Sequence, residues 1–312
     1  MDGRNTALPG HGPPRVLASS RRRALEPADT APRPAGAPVR PDEPATATFI
    51  GNATVLLRWG PFTLLTDPNF LHRGDLAWLG HGLVTRRLTE PALQVDQLPD
   101  LDAVLLSHLH GDHWDRVARR GLDRGLPIIT TPHAARRLQG RAGFRRADGL
   151  RTGERRTLNR DGCTATVTSL PGAHATGVLA RLLPPVMGSL VDFAGPDGKV
   201  RTRVYTTGDT LLVDAVRALA ARLREGDGVD AALVHLGGTT LPGGAVVTLG
   251  GEDGAELVDL VRPRAVVPVH HSDYGVFRSP LGAFDAAVER RGLRHLVQHV
   301  APGETVVLPS SA

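Results

Sequence analysis

The stretch Ala103-Val104-Leu105-Leu106-Ser107-His108-Leu109-His110-Gly111-Asp112-His113-Trp114-Asp115 decides how the rest of the chain is read. Its first half is a short, uninterrupted apolar run of the kind that forms a strand buried on both faces. From His108 to Asp115, five of eight positions are ligand-type residues: His108, His110, Asp112, His113 and Asp115. An extended backbone sends residues two apart to the same side, so His108 and His110 leave the strand end as a pair able to grip one cation. Gly111 then suits a sharp turn, and Asp112 and His113 are predicted at the start of a helix, facing a neighbouring cation. The competing account is a polar loop that happens to be histidine-rich. So dense a set of nitrogen and oxygen donors directly behind an apolar strand favours metal.

Upstream, Ala47-Thr48-Phe49-Ile50, Thr54-Val55-Leu56-Leu57-Arg58-Trp59, the turn Gly60-Pro61 and Phe62-Thr63-Leu64-Leu65-Thr66 read as a β-hairpin pattern. Further short β-branched runs at 127–131, 165–170, 204–207, 231–235, 265–269 and 305–308 are each predicted as buried strands. Helical spacing is clearest at 211–224, 253–261 and 281–291. Strands dominate first, then strand and helix alternate, which suits sheets sandwiched between helical layers. Residues 1–45 are rich in Pro, Ala, Arg and Gly with almost no periodic apolar pattern, so they are expected to form a disordered tail ahead of one domain over 46–312.

Composition narrows the function classes. With 312 residues and 41% apolar content the chain can bury a substantial core. Its one cysteine, Cys163, excludes an internal disulfide framework and a cysteine-rich zinc site, and points to the cytoplasm. No apolar run approaches the roughly 18 residues of a membrane span. Arg21-Arg22-Arg23 is followed by a polar, proline-broken segment rather than the apolar core of an export signal. The net charge of +5 comes from scattered arginines, with Lys199 the sole lysine, and no aromatic-studded basic stretch accompanies it, so no nucleic-acid partner is expected.

The pattern His-x-His-x-Asp-His at 108–113 resembles the signature of the metallo-β-lactamase superfamily, and the order of motifs agrees from about residue 47 to 308. The resemblance implies an α/β fold, an αββα sandwich of two mixed β-sheets flanked by helices. It implies two divalent metal ions, expected to be zinc, with manganese or iron as alternatives. His108, His110 and His174 would hold one; Asp112, His113 and His270 the other; Asp209 would bridge them. Taken singly the later residues are weak: His174 in Pro171-Gly172-Ala173-His174 reads more often as a solvated loop residue, Gly208-Asp209-Thr210 as a turn, and His270 as a hydrogen-bonded strand end, and it is their order and strand-end placement that lift all three.

Gly51-Asn52-Ala53-Thr54 and Thr66-Asp67-Pro68 look like two motifs of the branch that contains the ascorbate-lactonase-like proteins and the phospholipase D that cleaves N-acyl phosphatidylethanolamines. That branch has His where Asn52 stands, and a carboxamide can hydrogen-bond but cannot relay a proton. Asp67 is expected to orient a ligand histidine, or else to end a strand in a turn. Val234-His235-Leu236-Gly237-Gly238 and His270-His271-Ser272-Asp273-Tyr274 match the same branch loosely. They would place His235, His271 and Tyr274 at the mouth of the site as candidates for substrate contact or proton donation, beside Asp112 as a catalytic residue.

The reaction so implied is hydrolysis by a metal-bound hydroxide, since a divalent cation lowers the pKa of its water from about 15.7 toward about 7. The expected substrate carries an ester, lactone or phosphodiester bond and is small or lipid-like. Segments 69–98 and 175–189 are the expected mouth loops, with Val178, Leu179, Leu182, Leu183, Val186 and Met187 as a candidate apolar entrance, although packing against the core accounts better for most of them. Redox diiron relatives typically carry Glu where His110 stands, which ranks oxidoreductase chemistry low. The alternative of a non-catalytic metal-binding module sits badly with a complete ligand set. The remaining histidines, His11, His72, His81, His133, His295 and His299, lack any partner pattern and are expected at the surface.

Overall fold

The computed structural model describes residues 43–140 and 142–311. The expected tail lies, as far as residue 42, outside the described residues. Ala45 already belongs to the folded part: it is buried, and its carbonyl accepts the Leu308 amide.

In chain order the strands of the first sheet are β1 (Thr46–Gly51), β2 (Thr54–Trp59) and β3 (Phe62–Thr66). A separate hairpin, β4 (Leu76–Gly80) and β5 (Leu83–Arg86), precedes β6 (Ala103–Leu105). Then come α1 (Arg116–Gly121), β7 (Ile128–Thr130), α2 (Pro132–Gln139) and β8 (Ala147–Gly149). The second half holds β9 (Arg155–Arg160), β10 (Cys163–Pro171), β11 (Met187–Ala194), β12 (Val200–Thr206), α3 (Asp214–Glu225) and β13 (Ala231–His235). It ends with α4 (Gly251–Val261), β14 (Ala265–Val269), α5 (Leu281–Arg290) and β15 (Thr305–Val307).

Two mixed sheets result, one ordered β15-β1-β2-β3-β6-β7-β8 and the other β14-β13-β12-β11-β10-β9. Each passes from antiparallel neighbours into parallel pairs, β3–β6–β7–β8 in the first and β12–β13–β14 in the second. Strand periodicity sorts the side chains. Along β6 and just beyond it, Ala103 and Leu105 point into the core between the sheets, whereas Val104 and Leu106 join the layer under α1 and α2. On β13, Ala231 and Leu233 face between the sheets while Ala232 and Val234 pack beneath α3, α4 and α5. Burial on both faces is why these strands are apolar without alternation. At about 1.5–3 kcal/mol for each large apolar side chain removed from water, this three-layered core dominates the favourable side of folding. The architecture is the αββα sandwich.

Local chemistry sets the helix starts. Thr131 caps α2 by accepting the Ala134 amide, with Pro132 in the first turn. Asp115 caps α1 by accepting the Ala118 amide at 2.7 Å. The helix therefore starts at Arg116, and the expectation that it starts at Asp112 is corrected. The amides of His113 and Trp114 fold back onto the His110 carbonyl instead, at 3.0 and 2.8 Å, which keeps 111–114 as a tight turn. The expected mouth loop 69–98 contains the β4–β5 hairpin, and β11 begins at Met187, inside the other expected loop. Among the described residues, no helix is long and apolar enough to cross a membrane.

Candidate metal centre

The chemistry-bearing residues leave the C-terminal ends of strands that run the same way within each sheet. Asp67 follows β3, His108 follows β6, His174 follows β10, Asp209 follows β12, and His270 follows β14. Parallel strands end together, so side chains far apart in sequence reach one edge of the sandwich. Two groups form there. His108, His110 and His174 make one; Asp112, His113, Asp209 and His270 make the other, and within each group the ligand atoms all lie within 4.8 Å of one another.

Hydrogen-bond partners on the outside fix which ring nitrogen faces in. Ser107 Oγ donates to Asp67 Oδ2 and accepts from His108 Nδ1, both at 2.9 Å, which leaves the His108 Nε2 lone pair pointing inward. His174 Nδ1 donates to the Val247 carbonyl at 2.8 Å, and His270 Nδ1 to the Leu236 carbonyl at 3.1 Å. His113 Nδ1 lies 3.0 Å from Asp67 Oδ2. In the neutral rings the four Nε2 atoms are thereby left as acceptors, and they converge on further acceptors.

His110 Nδ1 sits 3.0 Å from both His108 Nε2 and His174 Nε2. One proton on His110 can serve only one of these neighbours; a cation serves all three nitrogens. In the second group His113 Nε2 is 3.1 Å from His270 Nε2 and 3.2 Å from Asp209 Oδ2, and His270 Nε2 is 3.3 Å from Asp112 Oδ2. Asp112 Oδ1 and Asp209 Oδ1 are buried without a hydrogen-bond partner. Buried acceptors packed against acceptors are costly unless something positive lies between them, so the donor set fits divalent cations. Asp209 Oδ2, at 3.2 Å from His113 Nε2 and 3.9 Å from His108 Nε2, is placed between the two groups.

The two groups differ in charge. Burial keeps the three imidazoles of the first group neutral, holding His108 well below its ordinary pKa, His110 down to about 3, and His174 below 6.5. Burial opposes charge on His113 and His270 too, but Asp209 leads the carboxylates that outweigh it and raise both. Asp209 and Asp112 are in turn held below the usual carboxylate range against the effect of burial, chiefly by His113. Exposure is confined to one side: His110 is 8%, His174 5% and Asp112 3% exposed, while His108, His113 and His270 are at 0%.

The third cluster, Asp67, His113 and His235, is an internal hydrogen-bond network. Asp67 already receives the Ser107 amide, the Ser107 hydroxyl, His113 Nδ1 and His235 Nε2, so its lone pairs are engaged. Burial raises its pKa, but the charge and hydrogen bond of His113, followed by His235, bring it to about 2. Asp67 thus stands behind His113 as its orienting partner.

Several expected positions are revised. His235 is completely buried behind Asp67, with Nδ1 against Thr207 Oγ1 at 3.2 Å, so it does not lie at a mouth. Neither does Tyr274, which is 2% exposed and donates its hydroxyl to Asn69 Oδ1 at 2.8 Å. His271 is half-buried and turned to Ser272 Oγ at 2.6 Å. Gly111 does not adopt positive φ. Glycine is required there because a Cβ would fall 2.6 Å from the Trp78 nitrogen of the hairpin that crosses the loop. Of the candidate apolar entrance, Val178 and Leu182 are exposed at 76% and 54%, whereas Leu183, Val186 and Met187 are buried. His72, His81, His295 and His299 are exposed, His133 is half-buried on α2, and His11 lies outside the described residues.

Sequence reasoning missed three buried residues beside the centre: Asn69, Arg87 and Asp273. Asn69 falls two residues after the Asp67 motif and Asp273 three after His270, but neither residue type carries a signal of its own. Arg87 lies within the expected mouth loop 69–98, where a lone arginine reads as a surface charge.

An αββα sandwich with this donor set at its strand ends defines a metallo-β-lactamase-fold, metal-dependent hydrolase. A family profile described as the beta-lactamase superfamily domain matches residues 63–271, and the chain belongs to that family. A UPF0173 metal-dependent hydrolase from Deinococcus radiodurans is 30% identical over 207 residues, covering 66% of this chain and 80% of that protein. Among solved structures, an isothiocyanate hydrolase from Delia radicum gut bacteria superposes with a TM-score of 0.71 at 20% identity, over 85% of this chain and 100% of the other. A possible metal-dependent hydrolase from Veillonella parvula gives 0.69 at 24% identity, over the same shares.

Proposed function

We propose that this hydrolase cleaves an ester, lactone or phosphodiester bond in a small-molecule or lipid-like substrate, with two divalent ions, zinc by preference, as its cofactors. The observation that carries the reading is the convergence of His108, His110, His174, Asp112, His113, His270 and Asp209 with the inward nitrogens fixed as acceptors. His108, His110 and His174 would hold one ion, and Asp112, His113 and His270 the other, with Asp209 between them. Divalent ions bound there supply Lewis acidity and activate water at neutral pH. Asp112 contributes a carboxylate whose Oδ1 has no protein donor, so that oxygen is free to accept a hydrogen bond beside the reacting atoms. Asp67, backed by His235, keeps His113 in one orientation. His271, half-buried next to His270, is the remaining candidate for a proton donor.

Support for a partly apolar substrate comes from the surface near the centre. Val178 and Leu182 follow His174, and Leu76 and Trp78 on β4 are 51% and 57% exposed. His81, at the tip of the hairpin, bonds through Nε2 to the Leu182 carbonyl at 2.8 Å, which joins the two segments. A single buried cysteine suits a cytoplasmic location.

The test is to load the purified full chain with zinc or manganese and assay lactone, thioester, phosphodiester and isothiocyanate panels beside Asp112→Ala. Turnover on at least one panel that disappears in the variant is expected. Metal retained with no turnover anywhere would make the protein a non-catalytic metal-binding module.

A further inference from the structure

Arg87, directly after β5, is fully buried. An ionised guanidinium in that position is costly unless each of its groups is met, and everything that meets it belongs to the surroundings of the centre. Nη1 donates to Asn69 Oδ1, Nη2 lies 3.2 Å from Asp273 Oδ1, and Nε donates to the Thr89 carbonyl at 3.2 Å. The Tyr274 ring lies 5.3 Å from the guanidinium carbon. Space has been left for it: a Cβ on Gly51 would fall 2.7 Å from Nη2.

One of its two principal partners, Asn69, holds a carbonyl of the turn that carries Asp112 directly, and the other, Asp273, reaches that turn through Asn52. Asn69 Nδ2 donates to the Gly111 carbonyl at 3.1 Å. Asp273 Oδ2 accepts the Asn52 amide at 3.0 Å, and Asn52 Nδ2 donates to the Asp112 carbonyl at 2.7 Å. The Asn52 carbonyl also accepts the His270 amide at 2.8 Å. Asn52 and His270 both have left-handed backbones, φ 55° and 59°, a conformation side-chain-bearing residues hold only when neighbours enforce it. These bonds end on Gly111, Asp112 and His270; none of them ends on His108, His110 or His174.

We infer that Arg87 is a positioning residue for the Asp112/His113/His270 cation position, acting directly through Asn69 and, by way of Asp273, through Asn52. This rests on the two-cation reading proposed above. It also couples the β4–β5 hairpin to that position, because Arg87 is the residue at which the hairpin ends.

The test uses Arg87→Met, Asp273→Asn and the double variant, each as the full chain, with zinc affinity read by competition against a chromophoric chelator and folding read by circular dichroism. The double variant removes both buried charges and so keeps the test usable if either single variant misfolds. The second zinc should bind about 10- to 100-fold more weakly in each variant while the first stays within about threefold. Arg87→Lys, which keeps the charge but loses the fork, should fall between. Equal weakening of both zincs, no weakening of either, or failure of all variants to fold would overturn the inference. Differential loss of zinc without turnover on any panel supports the positioning role and defeats the hydrolytic reading; wild-type protein that takes up fewer than two zincs defeats both.

Discussion

The two halves of the metal centre lie side by side but are built differently. The His108/His110/His174 position consists of three neutral imidazoles, two of them on one short stretch of chain, and its inward nitrogens are fixed by Ser107 and by the Val247 carbonyl. The position of Asp112, His113 and His270 likewise takes two residues from that stretch, mixes carboxylates with imidazoles, and has its backbone held by Asn52 and Asn69. Burial, helped by the neighbouring imidazoles, keeps protons off the first. In the second, the carboxylates that would attract a cation also attract protons to His113 and His270. Each ligand set takes two residues from 108–113 and a third from a distant strand end, so the difference lies in charge: the set that gathers carboxylates displaces protons when it fills.

The largest expected effect comes from removing what the halves share. Asp209→Ala should weaken both cations and lower kcat/KM by on the order of 10³-fold, with circular dichroism near wild type because the residue sits on a loop beyond β12. Cation content measured by elemental analysis would show whether one position survives alone, which would break the symmetry claimed for Asp209.

Single-position variants sharpen the contrast. His110→Ala should remove the cation of the first position, and Asp112→Ala that of the second, each lowering stoichiometry from two toward one and activity by about 100-fold or more. Loss of both cations from either variant would mean that the halves do not fill independently.

Gly111→Ala tests the one place where the hairpin backbone lies against the ligand loop. A methyl group there meets Trp78 backbone at 2.6 and 2.7 Å, so relief requires moving main chain. Destabilisation of about 1–3 kcal/mol is expected, read as a fall of several degrees in Tm. An unchanged Tm would show that the hairpin can move aside freely.

The halves should also separate by pH. In the cation-free protein the raised His113 and His270 contribute stability that is complete below about pH 6.5 and is lost as pH rises through their higher folded values. A cation at that position must displace those protons, so its affinity should climb with pH across and above neutrality. At the first position, whose histidines are held low by burial, affinity should be nearly flat over the same range. Calorimetry in buffers of different ionisation enthalpy would count the protons; equal release at both positions would contradict the asymmetry.

The smallest effects belong to the rim. Val178→Ala and Leu182→Ala should raise KM for an apolar substrate by about threefold while changing stability by no more than about 0.5 kcal/mol, since both side chains are exposed. An unchanged KM would detach that segment from substrate binding.

Strands β13 and β14 match the sequence reading at both ends, because an apolar run between polar or glycine-containing segments is a local signal. The three helices predicted in the second half appear within a few residues of their expected limits. β11 was missed: Gly188, Ser189 and Asp192 spoil its pattern, and it is a strand because β10 and β12 pair with it on both sides. The β4–β5 hairpin went unread for a related reason, since Leu76, Trp78 and Val84 face outward, the reverse of the usual apolar-in pattern.

The sequence by itself determined most of the strands and helices and the ligand cluster at 108–113, since period, spacing and residue type are properties of neighbours along the chain, while the resemblance carried by that cluster supplied the sandwich and the later ligands His174, Asp209 and His270. Only the tertiary structure decided which nitrogen of each ring faces inward, why residue 111 must be glycine, that His235 and Tyr274 are interior, and that Arg87 is buried against Asn69 and Asp273. Those outcomes depend on hydrogen bonds between segments as far apart as Asn52 and Asp112, or Asn52 and Asp273, 60 and 221 residues distant. The orientation of a buried polar group follows from whichever partner the fold brings to it, and no pattern in the sequence around that group encodes the partner.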